Sequence, residues 1–196
     1  DIDFDDPDAI KFQHLLPNTF GLGKKINGFV MTTHLFYHTD FKCKKITYLS
    51  DRNKKDSVIV EVLTNTQTVS AGHGRLITND APIKKLTESE YDNVMETVRK
   101  ISLLTMLSKY YPKEGGRDEF CLILAGCLTK GNNWPTWERE DFLKELLLSV
   151  GDTDDLKNRL NKITYQEEQR KLNKDITGLP SLAKEISVPI SVCVDW

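Results

Sequence analysis

The chain lacks the long hydrophobic runs of a membrane protein. No apolar stretch approaches the roughly 20 residues that cross a bilayer, and the sequence shows no secretory signal peptide. It also lacks an excess of charge of either sign, with 27 basic and 29 acidic residues and a net charge of −2. We therefore expect no membrane partner, and any binding of nucleic acid must depend on local basic patches.

Several common catalytic and metal-binding motifs are missing as well. The four cysteines contain no Cys-x-x-Cys pair, and no P-loop, zinc-ligand spacing or Ser-His-Asp order is present. Cys121 and Cys127 would lie on different sides of one helix, which favours reduced thiols. The expected location is therefore the cytoplasm, of a bacterial or archaeal host cell or for a virus-encoded protein. An initiator methionine is also missing, which suggests a fragment of a longer chain.

The first 86 residues are typical of mixed strands and loops. β-Branched and aromatic residues predict strands over 29–38 and 57–63, with a third strand over 67–70. The glycines before residue 29 and the Asn27-Gly28 pair indicate turns, so 23–28 is predicted to be a loop.

The character of the sequence changes at Thr87, where Thr87 and Glu90 form a capping box for a helix. Apolar residues at helical spacing predict further helices over 118–130, after a cap at Thr136, and from Asp152 or Thr153, with a short one ending near 186. The 118–130 helix is apolar nearly all round, so it should be the buried central helix. The predicted fold is α+β, with one domain over 1–86, an all-α helical bundle over 87–186 and a tail over 187–196.

Two carboxylates begin the chain at the spacing of a strand face. Asp1 and Asp3 would point the same way on a strand, and hard divalent cations prefer such oxygen ligands. Glu61 is the lone charge in the apolar run 58–63, which makes it a candidate third ligand. The alternative is that the termini are solvated and that Glu61 faces water from an edge strand whose core face is Val60 and Val62.

Other residues are candidates for phosphate contacts. The glycines and two lysines of 23–28, Lys24 and Lys25, could approach a triphosphate, and His34 could donate to it. The turn before Arg117 could present backbone N–H groups to a phosphate, and Lys157 and Arg159 belong to the chain's main local concentration of basic residues. The alternative for 23–28 is a hairpin turn, and the alternative for the turn before Arg117 is a simple chain reversal. The alternative for Lys157 and Arg159 is a solvated helix of mixed charge.

The order of these motifs resembles the archaeo-eukaryotic primase superfamily, and most of all its phage and plasmid primase-polymerases. Asp1 and Asp3 match the first motif of that family. The segment 32–37 resembles the second, with Thr33 where serine is common, and 60–63 followed by 66–69 resembles the third. Further similarity to the family's helical domain is carried by 116–120, 124–128, Trp134 and 175–180, so that the resemblance covers about 1–186.

The resemblance implies a DNA primase-polymerase with an RRM-like mixed or antiparallel sheet, incomplete at its N-terminus. Asp1, Asp3 and Glu61 would hold Mg²⁺ or Mn²⁺, and His34 with Thr33 and Lys24 or Lys25 would bind the nucleoside triphosphate. A DNA template would lie on the helical domain, with contacts from residues such as Arg117, Lys157 and Arg159. Family members often continue into a helicase domain. The resemblance leaves open whether the fragment is active without residues upstream of Asp1.

Two other functions remain open from the sequence. One is a non-catalytic DNA-binding or replisome adaptor, in which the helical half does the binding. The other is a metal-dependent nuclease, although Glu61-Val62-Leu63 lacks the Glu-x-Lys pairing of many nuclease sites.

Overall fold

A computed structural model describes residues 1–51, 54, 57–64, 74–113, 115–131 and 133–195. The α+β class is confirmed, because an antiparallel sheet is followed by helices. Within these ranges, no helix combines the length and the apolar character needed to span a bilayer. Contacts between residues divide the chain into two compact units, 1–105 and 106–196. The predicted boundary at 86 and 87 falls at the start of a helix, whereas this division falls inside the same helix.

The first unit is built on a six-stranded antiparallel sheet. The strands of this unit are β1 (Ile2–Phe4), β2 (Gly21–Ile26), β3 (Phe29–Leu35), β4 (Tyr37–His38), β5 (Ile46–Leu49), β6 (Val58–Val62), β7 (Leu76–Asn79) and β8 (Lys84–Lys85). The order in the sheet is β5-β6-β1-β3-β2-β7, and a separate pair of short parallel strands, β4 and β8, lies beside Leu86.

Alternation along β1 gives the sheet one apolar and one polar face at its centre. Ile2 pairs with Leu35 and Val62, and Phe4 pairs with Val60. All five side chains are buried, and the short helix α1 (Pro7–Ile10) packs near β1 and β3. Since successive strand residues point to opposite faces, Asp1 and Asp3 lie on the other face. The burial of Ile2 and Phe4 therefore fixes the direction of the carboxylates.

The prediction of a loop over 23–28 is wrong. Lys24 and Lys25 lie on β2, which forms a hairpin with β3 through Asn27 and Gly28. Both turn residues have positive φ, 49° and 88°, as a two-residue Asn-Gly hairpin requires. Pairing with β3 satisfies the backbone groups that a loop would leave to solvent, and this outweighs the weak strand preference of glycine and lysine.

The strand predictions are otherwise right in part. The strand predicted over 29–38 is interrupted at Phe36, and the strand predicted over 57–63 is β6. β5 and β7 were not predicted, because their four-residue segments carry little periodic signal. The strand predicted over 67–70 lies outside the described residues.

The long helix α2 (Glu88–Tyr110) begins with the predicted capping box. The Glu90 N–H donates to Thr87 Oγ1 at 3.3 Å, and the Thr87 N–H donates to Glu90 Oε2 at 3.0 Å. Two backbone donors at the helix start are thereby satisfied reciprocally.

The second unit is helical and centres on α3 (Arg117–Gly131), as predicted. Phe120, Leu124 and Leu128 are among its buried residues. The other helices are α4 (Thr136–Ser149), α5 (Leu156–Lys171), α6 (Leu179–Glu185) and α7 (Ile190–Asp195). Helix α7 occupies part of the tail over 187–196, for which the sequence predicted no secondary structure.

The predicted cap of α4 and the predicted start of α5 are wrong. Pro135 is the N-cap residue of α4, and the Thr136 hydroxyl instead donates to Glu167 at 3.0 Å. α5 begins at Leu156, because Asp152 is buried in an ion pair with Arg159 rather than placed at the helix start. In both cases the side chain that the local pattern placed at the helix start, Thr136 or Asp152, instead contacts a residue distant in sequence.

Candidate functional site

One row of residues crosses all six strands of the sheet. Each member is directly opposite the next in the antiparallel register, so the side chains share a face. Asp3 stands between its two cross-strand partners, His34 on β3 and Glu61 on β6. From one edge to the other, the row contains Ile77, Leu22, His34, Asp3, Glu61 and Thr47.

The His34 imidazole lies between two carboxylates. Its Nδ1 is 3.4 Å from Asp1 Oδ2 and 3.4 Å from Asp3 Oδ1. The His34 and Asp1 side chains are 3% and 6% exposed, whereas Asp3 is 20% exposed and reaches the surface. Both carboxylate oxygens of Asp1 are buried without a hydrogen-bond partner. An ionised carboxylate in that state needs a compensating proton or cation.

The electrostatics of the site oppose the charged forms of its groups. Burial raises the pKa of Asp3, and the charges of Asp5 and Glu61 raise it further, while His34 and Arg75 act in the opposite direction. The pKa of Asp5 is also raised, by burial and then by Glu61. Burial lowers the pKa of His34, although Asp3 partly offsets this. Asp3 and Glu61 of the row, with Asp5 beside them, thus repel one another, and a bound cation would relieve that repulsion.

Glu61 shares the face of Asp3 but has its own partners. Its Oε1 accepts a hydrogen bond from Thr47 Oγ1 at 2.8 Å and lies 3.3 Å from Lys45 Nζ. β6 lies between β5 and β1, so Glu61 is not on an edge strand, while Val60 and Val62 do form the core face. Across the described ranges, no three carboxylate, imidazole or thiol side chains are grouped so that they could hold a metal ion.

The remaining predicted nucleotide contacts divide between the two faces. Lys24 influences the pKa of both Asp5 and His34, so it lies on the side of the carboxylates. Lys25 is next along β2 and points to the other face. Thr33 is buried beside His34, and its Oγ1 has no hydrogen-bond partner.

Sequence reasoning missed two charged residues at this site. Asp5 continues the i, i+2 spacing of Asp1 and Asp3, so the alternation could have identified it. Arg75 acts on both Asp3 and His34, but it comes from a distant segment without a motif of its own. Only the pairing of β7 with β2 brings that segment to the site.

The predicted template contacts all lie in the helical unit. Lys157 is exposed on α5. Arg117 donates from Nε to the Pro112 carbonyl at 3.3 Å and lies 3.5 Å from Asp152. Arg159 is buried, paired with Asp152, and donates to the Tyr111 hydroxyl at 3.1 Å. Since the charge of Arg159 is balanced inside the protein, we do not assign it to template binding.

The chain was compared with protein families, with curated proteins and with solved structures. No family model matches it, and neither a curated protein nor a solved structure is similar to it at a significant level.

Proposed function

We propose that the chain is part of a DNA primase-polymerase that joins nucleotides in a metal-dependent reaction on a DNA template. The observation that carries the proposal is the register of β1, which places His34 and Glu61 on either side of Asp3. Each of the three residues is about 30 positions from the next along the sequence, and all three belong to the motifs that resemble the primase-polymerases. Antiparallel pairing on one face is the arrangement that such a set needs.

The donor chemistry of the row suits Mg²⁺ or Mn²⁺. Asp1 and Asp3 would hold the ion, because the orphaned oxygens of Asp1 and the raised pKa of Asp3 both favour a neighbouring cation. Glu61 would join them by exchanging its contacts with Thr47 and Lys45. When bound, the metal supplies activation of the attacking hydroxyl and neutralisation of the phosphate charge.

The protein's own residues would orient the nucleotide. The His34 imidazole lies between Asp1 and Asp3, and its buried Nδ1 has no hydrogen-bond partner, so it would have a free donor for a phosphate oxygen that reached this position. Lys24 lies on the same face and would add a positive charge for the triphosphate. Lys25 does not enter the proposal, because its strand position directs it away.

The test is incorporation of a labelled nucleotide on a primed DNA template with Mn²⁺. We expect wild type to extend the primer, and Asp3→Asn to abolish extension. Asp40→Asn is the control, since Asp40 is an exposed carboxylate paired with Lys85 and His38 away from the row. If Asp3→Asn extends the primer as wild type does, or if wild type shows no extension, the proposal is wrong.

A second candidate, a metal-dependent nuclease, is favoured by one contact. Lys45 immediately precedes β5 and lies 3.3 Å from Glu61 Oε1, so the pairing of β5 with β6 supplies the acid–lysine pair that the local sequence lacks. The same labelled primer separates the two functions, because a nuclease shortens it and a polymerase lengthens it. Loss of shortening in Lys45→Gln would assign cleavage to this pair.

A further inference from the structure

We propose that the β2–β3 hairpin is a platform for single-stranded DNA, with Phe29 stacking on a base and Lys24 and Arg75 contacting phosphates. This inference rests on the proposed function, since the bound strand would be the template. It moves the main template contact from the helical unit, where the sequence placed it, to the sheet that carries the carboxylates.

The hairpin exposes a large aromatic side chain that the fold does not use. Phe29 is 75% exposed, the highest value among the large hydrophobic residues of the described ranges. It directly follows the Asn27-Gly28 turn, and a tight turn does not require an aromatic residue at that point. Ile77, on the neighbouring edge strand, is 57% exposed. Among the described residues, the hairpin therefore presents apolar surface to water.

The register places Phe29 on the same face as the carboxylate row. Leu22, Lys24 and Ile26 alternate onto one face of β2, where Leu22 is opposite His34 and Ile26 is opposite Phe29. The register shift between Leu22 and Gly23 allows Phe29 and His34 to share this face despite their odd spacing on β3. Leu22 is also opposite Ile77, which brings Ile77 onto that face too. Phe29 and His34 are five positions apart, about 16 Å along a strand, which is the length of about five stacked nucleotides.

Charge on this face indicates nucleic acid rather than a hydrophobic protein partner. Lys24 and Arg75 both act electrostatically on His34, and Lys24 lies on β2 between Leu22 of the row and Ile26, the partner of Phe29. Cations beside an exposed aromatic ring suit a strand whose bases stack and whose phosphates need neutralising. Phe29 and the row share this face of the sheet, so a strand bound at Phe29 would run towards the carboxylates.

The experiment measures binding of fluorescent oligo(dT) to the full chain by anisotropy, without metal or nucleotide. We expect Phe29→Ala to weaken binding by about 5- to 150-fold, the range for loss of one stacked base. Phe29→Trp should retain affinity, since indole also stacks. Trp137→Ala, which removes an aromatic residue 63% exposed on α4, should bind as wild type does. Substitution at an exposed position should leave the fold intact, which circular dichroism verifies.

A salt titration tests the phosphate contacts. For single strands the slope of log K against log salt is about −0.7 per neutralised phosphate, so Lys24→Gln should reduce the slope by about 0.7. Lys144→Gln, an exposed lysine on α4, should not change it. The inference is wrong if Phe29→Ala binds within twofold of wild type, or if duplex of equal length binds as well as oligo(dT).

The DNA-binding platform and the proposed synthesis of DNA can be disproved independently of each other. Asp3→Asn should abolish primer extension while oligo(dT) binding is kept. A chain that binds through Phe29 but never extends a primer would overturn the proposed function and keep the platform. If the Phe29→Ala variant extends primers at the wild-type rate and with wild-type affinity for DNA, the platform is overturned and the proposed function is kept.

Discussion

Replacing Asp152 with asparagine should strongly destabilise the helical unit. The Asp152 carboxylate is buried between three partners of that unit. It pairs with Arg159, accepts a hydrogen bond from the Tyr111 hydroxyl, and lies 3.5 Å from Arg117 Nη1. The side chains of Asp152 and Arg159 are only 2% and 10% exposed. The substitution keeps the shape of the side chain and removes its charge.

The loss of stability in Asp152→Asn depends on the buried charge of Arg159 that the substitution leaves without a partner. Arg159 would remain buried and charged, with Tyr111 as its polar neighbour and the like charge of Arg117 nearby. Removing one member of a buried ion pair costs about 3–5 kcal/mol, because the other charge is left uncompensated. Since a whole domain is stable by about 5–15 kcal/mol, this is a large fraction of its stability.

The assay is urea unfolding of the full chain, followed by far-ultraviolet circular dichroism. Asp118→Asn is the matched control, since Asp118 is 59% exposed and pairs with Lys162 at 2.8 Å in the same unit. An exposed pair contributes about 0–1 kcal/mol. If both variants lose the same small amount, the Asp152 pair is not buried as described and Arg159 is again available for template contact.

Three further predictions follow from the structure. Asp3→Asn should raise the melting temperature near pH 7 at low salt without metal, because a raised pKa means that the charged carboxylate destabilises the folded state as pH rises. The gain should vanish at acidic pH, and a fall in melting temperature near pH 7 would contradict the described electrostatics. Gly126→Ala should destabilise by about 1–3 kcal/mol in urea, since its Cβ would overlap Thr177 Oγ1 and lie 2.7 Å from the Thr177 carbonyl oxygen; an unchanged midpoint would show that this loop yields. Cys43 and Cys127 are both half-buried, but in thiol labelling at pH 8 Cys127 should react much more slowly, because burial raises its pKa to about 12; equal rates would refute that difference.

Much of the fold follows from local patterns in the sequence. The capping box at Thr87 and the apolar run of α3 each depend on residues within a few positions of one another, and both are present. The strand β6 was predicted from its β-branched residues in the same way. These elements are read from neighbours in the chain, which is where sequence patterns are informative.

The errors come from contacts between distant residues. Lys24 and Lys25 resemble loop residues until β3 pairs with them, and Arg159 resembles a surface cation until Asp152 pairs with it. The direction of Asp1 and Asp3 could be predicted from alternation, but the grouping of Asp3 with His34 depends on register. Register is set by the packing of the whole sheet. The order of the motifs therefore indicated which residues belong to the candidate site, but it did not predict how they are arranged in space.

The central claim is that the carboxylate row binds a divalent cation. Titration calorimetry of the chain with Mn²⁺ tests it directly, with Asp40→Asn as the control for exposed carboxylates. We predict saturable binding by wild type and by Asp40→Asn, and a loss of more than about tenfold in affinity for Asp3→Asn, since even an outer-shell partner is worth that much. Identical titrations for Asp3→Asn and wild type, or no binding to wild type, would contradict the account.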